Sequence, residues 1–265
     1  MTVCIAAITF DGYIVTASDT MTTGATCSAD MSAVKAEPFA RDWVAMISAD
    51  DITQCAPVIQ RAAKYFTGRA NTQEVARQCF MRAYQRHITE TAEDQVLSRF
   101  GITMEEFLRT GKRRFTERMF DTLCGDIRSV RAACDFLIFG FDGGGRPHIF
   151  TVGDSVGNGV WNKPGFCAIG SGRWAAEGML FHFGQSVDKG LHETIFNVCA
   201  AKFAAEKTAG IGHHTYLFAK RPGSQSFAYT FGLVEEIRDA WESSGAPRVP
   251  VGPIDSISRY NMACH

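Results

Sequence analysis

The spacing of apolar positions changes period several times along this chain. Thr2 to Thr9 (TVCIAAIT) is an unbroken, partly β-branched apolar run, Phe10-Asp11-Gly12 supplies a turn, and Tyr13 to Ala17 (YIVTA) runs back. A run without polar alternation predicts a strand covered on both faces. Thr20 to Ser32 is rich in Thr, Ser, Ala and Gly and reads as a loop; a short strand follows around Lys35, and another over Trp43 to Ser48 (WVAMIS). The period then turns helical, with Ile52, Ala56, Ile59, Ala63 and Phe66 recurring at three- and four-residue steps. A second helix is expected from Asn71 or Thr72, both good caps, with Val75, Cys79, Ala83 and Ile88 along one side.

Glu90 to Cys134 is less regular and richly charged, and reads as one or two further helices. Thr103 with Glu106 fits a capping box ahead of Phe107 and Leu108, and Lys112, Arg113 and Arg114 read as a solvated face. Strand signals resume over Phe136 to Phe141, His148 to Val152 and Phe166 to Ile169, with Asp142-Gly143-Gly144-Gly145 as a hairpin turn. Helices are expected over Arg173 to Phe183 and Val187 to Lys207, then strands over Thr215 to Ala219 and Ser226 to Phe231. Strands, helices, strands, helices, strands is an α+β order with layered sheets, not the alternation of a doubly wound fold. One domain over 1–242 with a helical insertion at about 90–134 is expected; the prolines and glycines of 243–265 predict an irregular tail.

Composition narrows the functional classes. Lys+Arg 27 against Asp+Glu 28 excludes a strongly basic nucleic-acid binder. No stretch reaches the ~18 consecutive apolar residues of a membrane span, and the N-terminus has no basic region followed by an apolar run. Nine cysteines lie scattered with no CxxC pair, a usage that suits buried thiols in a reducing compartment, so a cytoplasmic protein is expected. There is no GxxxxGK[ST] loop, HExxH or GxSxG elbow. His213 and His214 are adjacent, so in a strand they point to opposite faces, and no third ligand is near; no metal or organic cofactor is expected.

Thr2 directly follows the initiator methionine. Removal of Met1 would expose an α-amine and a hydroxyl on one residue, and an α-amine titrating near ~8 can accept the hydroxyl proton at neutral pH. Cys4 lies inside the strand and has no such amine of its own. Thr2-Val3-Cys4-Ile5, Asp11-Gly12, Ala17-Ser18-Asp19-Thr20-Met21-Thr22 with Gly24, Lys35, and Ala168-Ile169-Gly170-Ser171-Gly172 occur in that order. This series resembles the proteasome β-subunit family of N-terminal nucleophile hydrolases, with the bacterial proteasome-like peptidases nearest. Asp19-Thr20-Met21-Thr22 matches the family's Asp-[Ser/Thr]-x-x-Thr segment, and Lys35 stands the same sixteen residues beyond its aspartate. The likeness runs from Thr2 to about Phe231.

The resemblance implies a four-layer αββα sandwich, the N-terminal nucleophile hydrolase fold, and a threonine-type amide or peptide hydrolase. Thr2 would be the nucleophile, Lys35 its neighbouring cation, Asp19 the lysine's orienting partner and Ser171 a relay near the α-amine. The backbone N–H of Ala49 would stabilise the oxyanion. It also implies peptide or N-acyl substrates and a homo-oligomer, a ring or spiral, and leaves an ATPase partner open. Three departures stand out. Family members carry Gly-Gly where this chain reads Ala49-Asp50. The aspartate and serine at the end of the family's last long helix are not recognisable in Glu206-Lys207-Thr208-Ala209-Gly210, for which Glu206 is a poor substitute. Ser18 occupies the gapless position of the aspartate, and a first hairpin one residue longer restores Asp19 to it. The first two departures raise a second reading, a catalytically silent proteasome-like structural subunit or binding module. A small-molecule N-acyl amidohydrolase is a third.

Overall fold

The computed structural model describes residues 2–23, 28–30, 35–49, 52–223, 227–228 and 231–245. The strands are β1 (Cys4–Ile8), β2 (Ile14–Asp19), β3 (Met21–Thr23), β4 (Ser28–Asp30), β5 (Ala36–Ala40) and β6 (Trp43–Ala49) in the first part of the chain. The second part adds β7 (Cys134–Phe141), β8 (Pro147–Gly153), β9 (Phe166–Ile169), β10 (Thr215–Lys220) and β11 (Phe227–Ala228). The helices are α1 (Cys55–Phe66), α2 (Gln73–Ala92), α3 (Met104–Arg114), α4 (Glu117–Ser129), α5 (Arg173–His182), α6 (Leu191–Ala205) and α7 (Phe231–Ala240). Two antiparallel sheets result, of order β11-β10-β2-β1-β9 and β5-β6-β7-β8, with β3 and β4 as a separate ribbon. The architecture is α+β.

The unbroken apolar run of β1 has its reason in two different neighbours. Val3, Ile5 and Ala7 pack with Leu180, Val198 and Phe203 of α5 and α6. Cys4, Ala6 and Ile8 face the other sheet and meet Met46, Leu137 and Phe139. The far side of that second sheet, with Ala45, Ile47, Phe136 and Ile138, packs on Val58, Ile59, Phe80 and Ala83 of α1 and α2. Burying a large apolar side chain is worth about 1.5–3 kcal/mol. A strand committed to two cores therefore anchors Thr2, two residues before it.

Most element boundaries follow the sequence signals. Thr72 caps α2 by accepting from the Val75 N–H at 3.3 Å, and the capping box of Thr103 and Glu106 starts α3. Lys112, Arg113 and Arg114 form the exposed last turn of α3, where the negative end of the helix dipole favours cations. The helices α3 and α4 share a small core of Leu97, Ile102, Phe107 and Leu123. Asp142 closes the β7–β8 turn by accepting from the N–H groups of Gly144 and Arg146, both at 2.9 Å.

Three expectations are corrected. The Thr20–Ser32 loop contains a ribbon, in which Met21, Thr22 and Thr23 pair with Asp30, Ala29 and Ser28; its threonines favour extended backbone. Helix α6 begins at Leu191, not Val187, because the Ser186 hydroxyl accepts from the Asp188 N–H at 3.3 Å and holds a turn that competes with helix. Phe231 opens helix α7, which sequence reading missed, instead of ending a strand. Val234 on α7 and Trp241 just beyond it are buried against α6, with the Trp241 and Phe203 rings 5.6 Å apart. The expected positions Gly24, Asp50 and Ser226, and residues 246–265 of the tail, lie outside the described residues.

Candidate active site

Thr2 is placed by β1, which begins two residues later, and it is 96% enclosed, with a relative exposure of 4%. Its hydroxyl accepts a hydrogen bond from the Lys35 ammonium. The other two hydrogens of that ammonium go to Asp19 Oδ1 and Oδ2, each at 2.9 Å. Asp19 sits at the end of β2, paired with β1, and has no exposed surface. Its carboxylate also accepts from the Val3 N–H at 3.0 Å and the Met21 N–H at 3.2 Å. Four acceptor sites and three ammonium hydrogens are thus all used, which is the condition under which a buried ion pair is tolerable. Ser18 points elsewhere in the ladder, so the aspartate that reaches Lys35 is Asp19. Lys35 in turn is fixed by its carbonyl, which accepts from the Ile47 N–H at 2.9 Å.

Ser171 comes from the other end of the chain. Its hydroxyl accepts from the Thr2 N–H at 3.2 Å and donates to the Thr2 carbonyl at 3.4 Å. The N-cap of α5 is Gly172, whose N–H also reaches the Thr2 carbonyl at 3.3 Å. Gly170 makes this approach possible. Its φ is 91°, and a Cβ there would lie 2.2 Å from the Thr2 carbonyl oxygen, so only glycine fits.

These residues open into a cleft of about 630 Å³ lined by Thr2, Ser48, Ala49, Gly170 and Ser171, together with Arg131, Asp135, Asp154, Arg173 and Trp174. Ala49 ends β6, opposite Cys134 in the ladder. Of the five residues named from the sequence, Thr2, Ala49 and Ser171 line the cleft, while Lys35 and Asp19 lie buried behind Thr2. The charged and aromatic lining was missed, because those residues come from β7, α5 and two loops far apart along the chain, with no shared motif.

Glu206 is not part of this site. It follows α6 and accepts from Lys202 and from both terminal nitrogens of Arg238, at 2.7 and 2.9 Å, with His213 Nδ1 at 2.9 Å. The Lys202 ammonium also donates to the carbonyls of Gly212 and His213, at 2.7 and 2.8 Å. Burial pushes the Glu206 carboxyl up, but the Arg238 hydrogen bonds and the Lys202 charge outweigh it and hold the group below its ordinary range. The spacing of Lys202 and Glu206, four residues apart on a helix, was the available signal.

Among the described residues, no three His, Cys, Asp or Glu side chains gather into a cation site, and no helix is long and apolar enough to cross a membrane. The described cysteines are all free thiols.

The fold is similar to that of Anbu, a bacterial protein of proteasome-like type. The solved structure of a Gly-1 mutant of Anbu from Hyphomicrobium sp. strain MC1 superposes with a TM-score of 0.62 at 14% identity, covering 95% of this chain and 100% of that one. No protein-family model matches the sequence, and no curated protein does.

Proposed function

We propose that the chain is a threonine-type amide hydrolase of proteasome-like type, built as a single four-layer αββα domain into which the helices of residues 90–134 are inserted. The observation that carries this reading is the fully satisfied chain of contacts from the Thr2 hydroxyl through Lys35 to Asp19, at the floor of a cleft. With Met1 removed, the Thr2 α-amine takes the hydroxyl proton as Oγ1 attacks the substrate carbonyl carbon. The Lys35 ammonium, one hydrogen bond away, stabilises the developing alkoxide. The carbonyl oxygen becomes an oxyanion that the Ala49 N–H receives. Ser171, bonded to the Thr2 nitrogen, passes the proton on to the leaving amine. Water then attacks the ester, releases the acyl product and restores the hydroxyl. Self-assembly into a ring or spiral in the cytoplasm belongs to the same reading.

The test begins with the intact mass of the purified protein, which reads the loss of Met1. A neutral β-lactone or epoxyketone is then offered to the wild type and to Thr2→Ala. Labelling that maps to Thr2 and vanishes in the variant supports the hydrolase. Equal labelling or peptide turnover in both would refute it. The silent-subunit reading has one observation in its favour: among the described residues the Ser171 hydroxyl meets Thr2 alone, while Glu206 is spent on Lys202 and Arg238. An unlabelled but correctly processed Thr2 would decide for that reading.

A further inference from the structure

The cleft that holds Thr2 carries four charged side chains, Arg131, Asp135, Asp154 and Arg173. They do not pair with one another. Asp135 accepts from the N–H of Ser155 at 3.1 Å and from its hydroxyl. Asp154 accepts from the Ala132 N–H at 3.2 Å. Asp135 thus ties β7 to the loop after β8, and Asp154 ties that loop to the loop before β7. Ala133, also in the cleft lining, has a φ of 51°, a left-handed conformation that alanine adopts only under constraint.

The two arginines are held differently. Arg131 uses Nη1 on the carbonyls of Arg128 and Val130, at 2.8 and 2.9 Å, at the C-terminus of α4. Arg173 uses Nη1 on the Ser155 carbonyl at 3.1 Å, and its guanidinium lies 4.3 Å from the ring centre of Trp174, which is 70% exposed. Among the described residues, each guanidinium therefore spends one nitrogen on neutral carbonyls and keeps its other donors for whatever enters the cleft. Arg173 is also the first residue of α5. A cation is disfavoured at the positive end of a helix dipole, so the sequence here breaks a local rule at the edge of the cleft.

We propose that Arg131 and Arg173 form a carboxylate-binding subsite, so that the preferred substrate carries an acidic side chain, or a free chain-terminal carboxylate, close to the amide bond that Thr2 attacks. The inference rests on the hydrolase reading for its chemistry but not for its binding. A planar guanidinium with free donors matches a carboxylate in a two-point contact, and Trp174 fixes the plane of one of them. The helices inserted before β7 gain a purpose, since α4 delivers Arg131 to the cleft.

The experiment uses the full-length protein and one peptide in four forms: Glu, Gln or Lys beside the scissile bond with the C-terminus amidated, and the Gln peptide with a free C-terminus. The wild type is expected to prefer Glu over Gln, or free acid over amide, by about tenfold or more in kcat/KM. The first preference assigns the side chain as the carboxylate's source, the second the chain terminus. Arg131→Gln and Arg173→Gln are each expected to shrink that ratio, and Arg173→Glu to shift it towards Lys. Because Arg131 also caps α4, raising the salt on the wild type from about 0.05 to 0.5 M supplies a fold-neutral check, and the ratio is expected to narrow. Dye-labelled versions bound to Thr2→Ala, followed by anisotropy, read the same preference without hydrolysis. No turnover with acid-selective binding would sink the hydrolase and keep the subsite. Equal turnover or equal binding of acidic and neutral forms overturns the subsite, whatever the β-lactone does at Thr2.

Discussion

The Lys35 ammonium hydrogen-bonds the Thr2 hydroxyl with one hydrogen and spans both oxygens of the buried Asp19 carboxylate, at 2.9 Å each, with the other two. The lysine thus has two separable duties, one towards the hydroxyl and one towards a charge with no exposed surface. Lys35→Met is expected to lower hydrolysis by about 10²–10⁴-fold. It also leaves Asp19 as an unpaired buried charge, at a cost of about 3–5 kcal/mol. Asp19→Asn in the same background removes that stranded charge and is expected to recover part of the stability and none of the activity. Urea unfolding and peptide turnover on the wild type and these two variants check both halves.

Two glycines near the start of α5 are expected to respond to alanine with opposite signs. At Gly170, φ is 91° and a Cβ would collide with the Thr2 carbonyl, so Gly170→Ala is expected to destabilise by about 1–3 kcal/mol and to abolish labelling of Thr2. At Gly178 a Cβ meets nothing within 4 Å, and helical backbone favours alanine by roughly 0.5–1 kcal/mol. Gly178→Ala is therefore expected to raise the melting temperature with Thr2 labelling intact.

Acid is expected to act in two stages. Burial, aided by the Arg61 charge, holds the His87 imidazole below its ordinary 6.5. The unfolded chain then binds a proton that the folded one resists, so stability is complete above about 6.5 and declines as the pH falls through it. His87→Gln is expected to flatten that first decline. Glu206 is held below its ordinary 4.5 by Arg238 and Lys202 against the opposing effect of burial. Its contribution is present above 4.5 and is lost below it, towards the lower folded value. Glu206→Ala is expected to cost about 3–5 kcal/mol at pH 7, because Lys202, fully buried, loses its counter-charge. Melting temperatures from pH 3 to 8 distinguish the two stages.

Cys4 lies two residues from Thr2 but is chemically quiet. Burial pushes its thiol up to about 12, against the opposing pull of the Lys35 charge, and the Sγ contacts the Ile47 carbonyl at 3.5 Å. Iodoacetamide at pH 8 is expected to leave Cys4 unmodified in the native protein and to alkylate it only in denaturant, as peptide mass mapping would reveal. Alkylation of the native protein at Cys4 would contradict the packing of β1 between its two cores.

Much of the candidate site was legible through the resemblance to the proteasome β-subunit family, whose motifs are each local in the sequence. Thr2 heads an apolar run, Asp19 closes the strand that pairs with it, Lys35 precedes the next strand, and Ser171 sits between two glycines that open a helix. The caps at Thr72 and Thr103 were legible because their partners lie three residues away. Helix α7 carried a readable signal as well, because Val234 and Trp241 stand two helical turns apart on the side that meets α6. The β3–β4 ribbon carried none, as three-residue strands of Thr, Ser and Ala differ little from a loop.

Periodicity and spacing determined most of the strands and helices and that β1 must be covered twice, and the resemblance to the proteasome β-subunit family named the five site residues. Only the tertiary structure decided who lines the cleft and what Glu206 does. Arg131, Asp154 and Arg173 meet there through loops that follow α4, β8 and β9, and their neutral partners are backbone groups at the end of α4 and in the loops beside β7 and β8. Glu206 could have served Ser171, yet the fold offers it Lys202 and Arg238 at hydrogen-bonding distance. A buried carboxylate goes to the cations that offset its desolvation, and the position of those cations is set by packing between α6 and α7, which no local pattern encodes.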